Sequence, residues 1–122
     1  MKVIERKNVA EQLLPGRFMQ KIVGKVEDGY LSDSRILNIG YCRYCAEAGP
    51  MEPHMHAEET VQILSSDRGW VRFGPAKDDL PHKVMLQPNM TLHIPEGEWH
   101  VFEYAEGGSL EILFIYGAKV QL

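Results

Sequence analysis

Short apolar runs separated by turn-forming residues make up most of the chain after Pro15-Gly16. Val, Ile, Leu, Tyr and Phe dominate the runs, and Gly, Pro, Asn and Asp dominate the breaks between them. Such runs are typical of β-strands. The pattern predicts strands at Phe18–Val23, Ile36–Ala46, Glu59–Ser65, Trp70–Phe73, Lys83–Leu86, Met90–Ile94, His100–Tyr104 and Leu110–Tyr116. The segments Asp67-Arg68-Gly69 and Glu106-Gly107-Gly108 are among the predicted turns.

Many short strands joined by turns indicate an all-β protein, either an antiparallel sandwich or a barrel. A short N-terminal helix is predicted from Asn8 to Leu14, because Asn8 can cap a helix and Pro15-Gly16 would end it. We expect a single domain over residues 1–122. Its core would lie at about 36–116, and residues 1–35 would form an N-terminal arm and the first strand.

The composition narrows the partners that the protein can have. The chain has 122 residues, with 13 basic and 17 acidic side chains and a net charge of −4. Nucleic acids and anionic membranes attract basic surfaces, so we expect neither as a partner. The sequence also lacks an apolar run of about 20 residues and a signal-peptide core near Met1, which predicts a cytoplasmic protein.

Three histidines have the spacing of metal ligands. His54 and His56 form an H-x-H pair, and on a strand both imidazoles would point to the same face. His100 follows Pro95-Glu96-Gly97, a corner rigid enough to aim one side chain. By itself an H-x-H pair is more often a surface feature. A carboxylate shortly after His56 makes a metal site the sharper hypothesis.

Two segments carry a family resemblance, one from Gly49 to Glu59 and one from Asn89 to His100. They resemble the two motifs of the cupin superfamily, G-x5-H-x-H-x3–4-E-x6-G and G-x5-P-x-G-x2-H-x3-N, in the manner of a small single-domain conserved-barrel (cupin 2 type) protein. The P-x-G-x-x-H part matches completely. Elsewhere the chain departs from the pattern: Glu59 comes one residue early, and Tyr104 stands at the closing asparagine. Asn89 replaces a glycine, and asparagine tolerates the left-handed conformation.

The resemblance implies an antiparallel jelly-roll β-barrel with one divalent transition metal inside it. Its ligands would be His54, His56, Glu59 and His100, with Glu58 as the alternative carboxylate. Imidazole and carboxylate donors suit Fe, Mn, Ni, Zn, Cu or Co, and nothing in the set selects among them.

Further side chains are candidates for the wall of a pocket. His93 lies two residues before Pro95 and could face the barrel interior. Phe102 and Tyr104 would share the face of His100 if that strand is regular, since side chains alternate with a period of two. Cys42 and Cys45 are interpreted as structural thiols, because residues three apart on a strand face opposite sides.

The resemblance makes a metal-dependent enzyme the first functional prediction. The substrate would be a small polar or oxygen-rich molecule, and the reaction that of a dioxygenase, isomerase, decarboxylase or lyase. No catalytic residue beyond the metal ligands is predicted. The alternative is a non-catalytic cupin that binds a small molecule as a binding or sensor module. We also expect a homodimer, because small cupins usually pair and open sheet edges need cover.

Overall fold

The computed structural model describes residues 1–117, so the predicted domain end at residue 122 lies outside the described residues. Single 3-10 turns lie at Arg6–Asn8, Val26–Asp28 and Ala46–Ala48. The strands, in chain order, are β1 Gln12–Leu14, β2 Arg17–Gly24, β3 Ser32–Asp33, β4 Leu37–Cys45, β5 Glu59–Gly74, β6 His82–Met85, β7 Thr91–Ile94 and β8 Trp99–Gly117.

The strands form one mostly antiparallel sheet in the order β1-β2-β4-β8-β5-β6. β7 pairs with β5, and β3 pairs with β2 in the one parallel contact of the described strands. β5 and β8 have 16 and 19 residues and run along each other for most of their length. This long antiparallel pair joins the two halves of the sheet. The predicted all-β, mainly antiparallel architecture is confirmed.

The prediction of separate strands on either side of residues 67–69 and 106–108 was wrong. Residues 59–74 form one strand and residues 99–117 another, with register shifts between Ile63 and Ser65 and between Asp67 and Gly69. Arg68 has a φ of 56° and Gly107 a φ of 76°. The apparent turn residues therefore form bulges, which bend a strand without ending it. Each long strand thereby serves both halves of the sheet.

The predicted helix from Asn8 to Leu14 was also wrong. A 3-10 turn ends at Asn8, and β1 follows it. Gly16, with a φ of 86°, lets the chain reverse, so that Leu13 lies opposite Phe18 in a hairpin. A helix of seven residues has few internal hydrogen bonds and is marginal by itself. Here the ladder to β2 satisfies the same backbone groups.

The inward faces of the strands form a closely packed apolar core. Alternate residues of β4, β5 and β8 point into it, among them Tyr44, Val61 and Phe114, which are at most 4% exposed. Cys42 and Cys45 are buried free thiols, as the sequence predicted. Within residues 1–117, no helix has the length and apolar character needed to cross a membrane.

Candidate metal centre

Backbone hydrogen bonds join the two motif segments directly. The amide of His54 donates to the carbonyl of His100 at 3.0 Å, and the amide of His100 donates back at 2.9 Å. The amide of Gly97 donates to the carbonyl of His56 at 3.1 Å. Gly97 has a φ of 82°, a conformation that favours glycine. The corner before His100 is thus fixed against the H-x-H segment, which brings three histidines together.

The segment around His54 and His56 is not a regular strand, so strand alternation does not apply to the H-x-H pair. His54 forms only an isolated bridge with His100, and His56 lies outside the strands. The predicted convergence of the two rings nevertheless occurs, with centroids 5.2 Å apart. The cross-bridge to β8, rather than strand alternation, produces it.

Each imidazole turns the same nitrogen toward a backbone carbonyl. The Nδ1 atoms of His54, His56 and His100 lie 3.4, 3.1 and 2.9 Å from the carbonyl oxygens of Glu52, Ala57 and Glu98. A carbonyl can only accept, so Nδ1–H is the donor and Nε2 carries the lone pair. Metal-binding histidines are oriented by this kind of second hydrogen bond.

The three rings bring a set of nitrogen ligand atoms close together. One ligand nitrogen from each of His54, His56 and His100 lies within 4.8 Å of the others. His100 is 1% exposed, and its Nε2 is the one buried side-chain N or O without a hydrogen-bond partner in residues 1–117. An unpaired buried polar atom costs free energy. A metal ion satisfies such an atom, so the residues present fit the predicted group.

Glu59 adds a buried carboxyl to the three imidazoles. It is the first residue of β5, is 5% exposed, and places Oε2 3.1 Å from His56 Nε2. Burial raises the pKa of Glu59 from its ordinary 4.5 to about 7. Because the ring proton of His56 lies on Nδ1, a hydrogen bond between His56 Nε2 and Glu59 Oε2 requires a further proton on one of these two atoms. A bound cation can take the place of that proton.

Burial favours the neutral form of His54 and His100, the form in which histidines bind metals. The pKa of His54 is lowered from 6.5 to about 4, first by desolvation and then by the neighbouring His100 and His56. The pKa of His100 is lowered as well, again chiefly by desolvation. Neutral imidazoles and a carboxyl whose pKa is about 7 together provide donor atoms that can bind a cation.

His93 lies outside the cavity that His54 and His56 line, and borders a different pocket together with His100. His93 lies opposite Thr60 on the outer face of the sheet, and its Nε2 is 2.6 Å from Oε2 of Glu58. Both side chains are about two-thirds exposed, at 65% and 67%. Its neighbour Ile94 is the residue that points inward, opposite Glu59. Because side chains alternate along a strand, His93 and Glu58 both lie away from the three histidines. Glu59 is the carboxylate next to them.

Phe102 and Tyr104 occupy different surroundings. Phe102 lines the cavity next to the histidines and stacks at an angle on Tyr44, with ring centroids 5.3 Å apart. Tyr104 is half-buried and packs against the same core as Phe102, with which it lines a groove beside Pro50 and Trp70. It does not line the cavity of His54 and His56.

The cavity beside the centre has a volume of about 100 Å³. Most of its wall comes from residues that the motifs do not contain: Arg17, Met19, Cys42, Tyr44, Ile112, Phe114 and Tyr116. The two motifs do not predict this wall. Two pairs, Arg17 with Met19 and Cys42 with Tyr44, are spaced by two on strands, so strand alternation could have identified them.

Comparison with known proteins places the fold. No protein-family model matches the chain, and no curated protein matches its sequence. Among solved structures, the polyketide cyclase RemF from Streptomyces resistomycificus superposes with a TM-score of 0.69 and 22% identity, over 98% of this chain and 80% of that one.

Two further structures agree with it. Fe(II)-HppE, the hydroxypropylphosphonic acid epoxidase of S. wedmorenis, has a TM-score of 0.69 and 12% identity over 95% of this chain, which spans only 60% of that one. A protein from Planctomyces limnophilus has a TM-score of 0.68 and 9% identity, over 98% and 91% of the two chains. RemF and HppE have the cupin fold. Together with the arrangement of the strands, these matches show that the chain also has it.

Proposed function

We propose that this protein is a metal-dependent enzyme of the cupin type that acts on a small polar or oxygen-rich molecule in its interior cavity. The observation that carries the proposal is the set of three imidazoles whose ligand nitrogens lie within 4.8 Å of one another, one of them a buried Nε2 that lacks a partner. In a protein without a metal, such an arrangement only costs stability.

His54, His56 and His100 would hold the ion through Nε2, and Glu59 would supply the carboxylate. The carbonyls of Glu52, Ala57 and Glu98 hold the rings in the required tautomer. A divalent ion in this site would act as a Lewis acid toward a substrate oxygen. Phe102 and Phe114 form an apolar wall that limits the entry of bulk water. Because HppE is an Fe(II) protein, iron is the first metal to test, followed by Mn, Ni, Zn, Cu and Co.

The test is the metal content of untagged protein, measured by inductively coupled plasma mass spectrometry. We expect close to one equivalent of a transition metal, lost in His54→Ala and in His100→Ala. His93→Ala is the matched control, because His93 is exposed on the outer face and should leave the content unchanged. Wild-type protein that stays empty after reconstitution with each candidate ion would refute the proposal.

The alternative is a cupin that binds a small molecule without catalysis. It is supported by the cavity wall, which is largely apolar and offers few acid–base groups besides the proposed ligands. Substrate turnover separates the two functions. Oxygen uptake tests the dioxygenase class, and isomerase, decarboxylase and lyase assays test the others. A metal-loaded protein that binds small molecules and turns over none in these screens would favour the binding module.

We further propose the jelly-roll connectivity and the cupin 2 type for this barrel, on the strength of the long β5–β8 pair and the P-x-G-x-x-H corner. A homodimer is proposed as well. Its support is the exposed apolar side chains of Leu37 and Ile115, on the adjacent strands β4 and β8. Light scattering after size-exclusion chromatography should give twice the monomer mass, and a monomer at micromolar concentration would overturn the homodimer.

A further inference from the structure

The wall of the cavity contains one arginine, whose surroundings differ from those of the other arginines in residues 1–117. Arg17, the first residue of β2, is half-buried and lines the cavity next to His54 and His56. It is the one Lys or Arg among the residues that form this wall. Its Nη1 donates to the carbonyl of Pro15 at 2.8 Å, which fixes the guanidinium at the mouth of the cavity.

Arg17 also lacks the carboxylate partner that the other arginines have. Over residues 1–117, every other arginine lies within 4.0 Å of an Asp or Glu oxygen: Arg6, Arg35, Arg43, Arg68 and Arg72. Glu59, the carboxyl in the same wall, is paired with His56 instead, and burial alone accounts for its raised pKa. A half-buried guanidinium without a counterion is costly unless a ligand supplies the negative charge.

The surroundings define the kind of anion. Met19, Cys42 and Tyr44 lie next to Arg17 on the inward faces of β2 and β4, and burial raises the pKa of the Cys42 thiol to about 11. The thiol is therefore neutral, and it supplies no negative charge to the Arg17 guanidinium beside it. A volume of about 100 Å³ has room for a small molecule, on the order of five to seven non-hydrogen atoms.

We infer that the substrate or ligand of this cavity is a small organic carboxylate, whose carboxylate group binds the Arg17 guanidinium while its other end faces His54, His56 and Glu59. The planar fork of an arginine matches the two oxygens of a carboxylate. The aromatic and aliphatic wall suits a short carbon body. This inference rests on the proposed function for the orientation of the ligand, and Arg17 is a binding residue in it.

The test compares isobutyrate with isobutyramide, two probes of nearly equal shape that differ in charge. Binding is followed by two-dimensional NMR titration of metal-loaded protein. We expect isobutyrate to bind at least tenfold more tightly than the amide. Arg17→Gln should remove that preference, and Arg17→Lys should retain part of it. Arg68→Gln is the control, because Arg68 pairs with Asp67 on the exposed bulge and lies outside the cavity.

Two readouts keep this inference separate from the metal site. Circular dichroism and metal content should be unchanged in Arg17→Gln, which shows that the variant is folded and its metal site intact. Equal affinity of the folded variant and the wild type for isobutyrate would overturn the inference, even if metal binding is confirmed. Conversely, metal-free protein that still binds isobutyrate through Arg17 would support the inference while the proposed enzyme fails.

Discussion

Residues 1–117 contain two close histidine–glutamate pairs, which differ in how far they are buried. His56 and Glu59 are 3.1 Å apart inside the sheet, where Glu59 is 5% exposed. His93 and Glu58 are 2.6 Å apart on the outer face, with both side chains about two-thirds exposed. The outer pair is the shorter contact. In the inner pair, burial raises the pKa of the Glu59 carboxyl, and desolvation also lowers the pKa of the neighbouring His54.

Burial, rather than proximity, therefore distinguishes the pair proposed as metal ligands from the surface pair. Adjacent residues, Glu58 and Glu59, take part in these two pairs, because successive side chains on a strand face opposite sides. On the outside, water screens both charges and supplies hydrogen bonds. Inside, each group keeps its ordinary charge only if a partner or an ion compensates for the lost water. The predictions below exploit this difference.

The largest contrast is expected in metal affinity. Glu59→Gln should weaken the binding of Zn²⁺ or Fe²⁺ by at least about 100-fold, since loss of an outer-shell partner alone costs roughly 10- to 100-fold. Glu58→Gln should change the affinity by less than about twofold. Competition titration against a chromophoric chelator measures both. Similar losses in the two variants, or none in Glu59→Gln, would remove Glu59 from the proposed ligand set.

The next contrast concerns pH and the stability of metal-free protein. The pKa of Glu59 is about 7 in the fold, above its ordinary 4.5, so its contribution to the free energy of unfolding falls as pH rises from 4.5 to 7. The pKa of His54 is about 4, below 6.5, so its contribution grows as pH rises from 4 to 6.5. Each amounts to about 3 kcal/mol, and the two largely offset each other.

Substitution should separate the two contributions. In Glu59→Gln the free energy of unfolding should rise by at least about 3 kcal/mol between pH 4 and 6.5, because Glu59 no longer offsets the contribution of His54 and the lowered pKa of His100 acts in the same direction. Urea unfolding in the presence of EDTA measures it, and Glu58→Gln should follow the wild-type profile. Parallel profiles for Glu59→Gln and wild type would show that Glu59 does not carry the raised pKa.

The sequence predicted the inner pair better than the strands around it. His54, His56 and His100 could be found because turns and spacing are local, and Asn89 indeed has a left-handed φ of 73°. Whether residues 67–69 end a strand or form a bulge depends on the partner strand, which local sequence does not contain. Arg17 was missed for the same reason. Its proposed role depends on which residues face it across β4 and on the lack, within residues 1–117, of an Asp or Glu oxygen in salt-bridge distance.

A smaller effect is expected at the corner that aims His100. Gly97 has a φ of 82° and open space where a Cβ would lie, so Gly97→Ala should cost about 1 kcal/mol of backbone strain without a clash. Gly107, with a φ of 76° in the bulge, gives a matched control at a similar cost. Metal affinity should fall only in Gly97→Ala, because the amide of Gly97 bonds to His56. Equal affinities in both variants would show that the corner does not position the ligands.

The smallest effect is expected for the outer pair. A double-mutant cycle of His93→Ala and Glu58→Ala should give a coupling energy of about 0.5 kcal/mol near pH 6, because exposed ion pairs gain little over their interactions with water. The coupling should weaken in 1 M NaCl, where the screening length is about 3 Å. Chemical denaturation of the four proteins gives the value. A coupling above about 2 kcal/mol that persists in salt would mean that the short distance, and not burial, sets the strength of a histidine–glutamate pair in this fold.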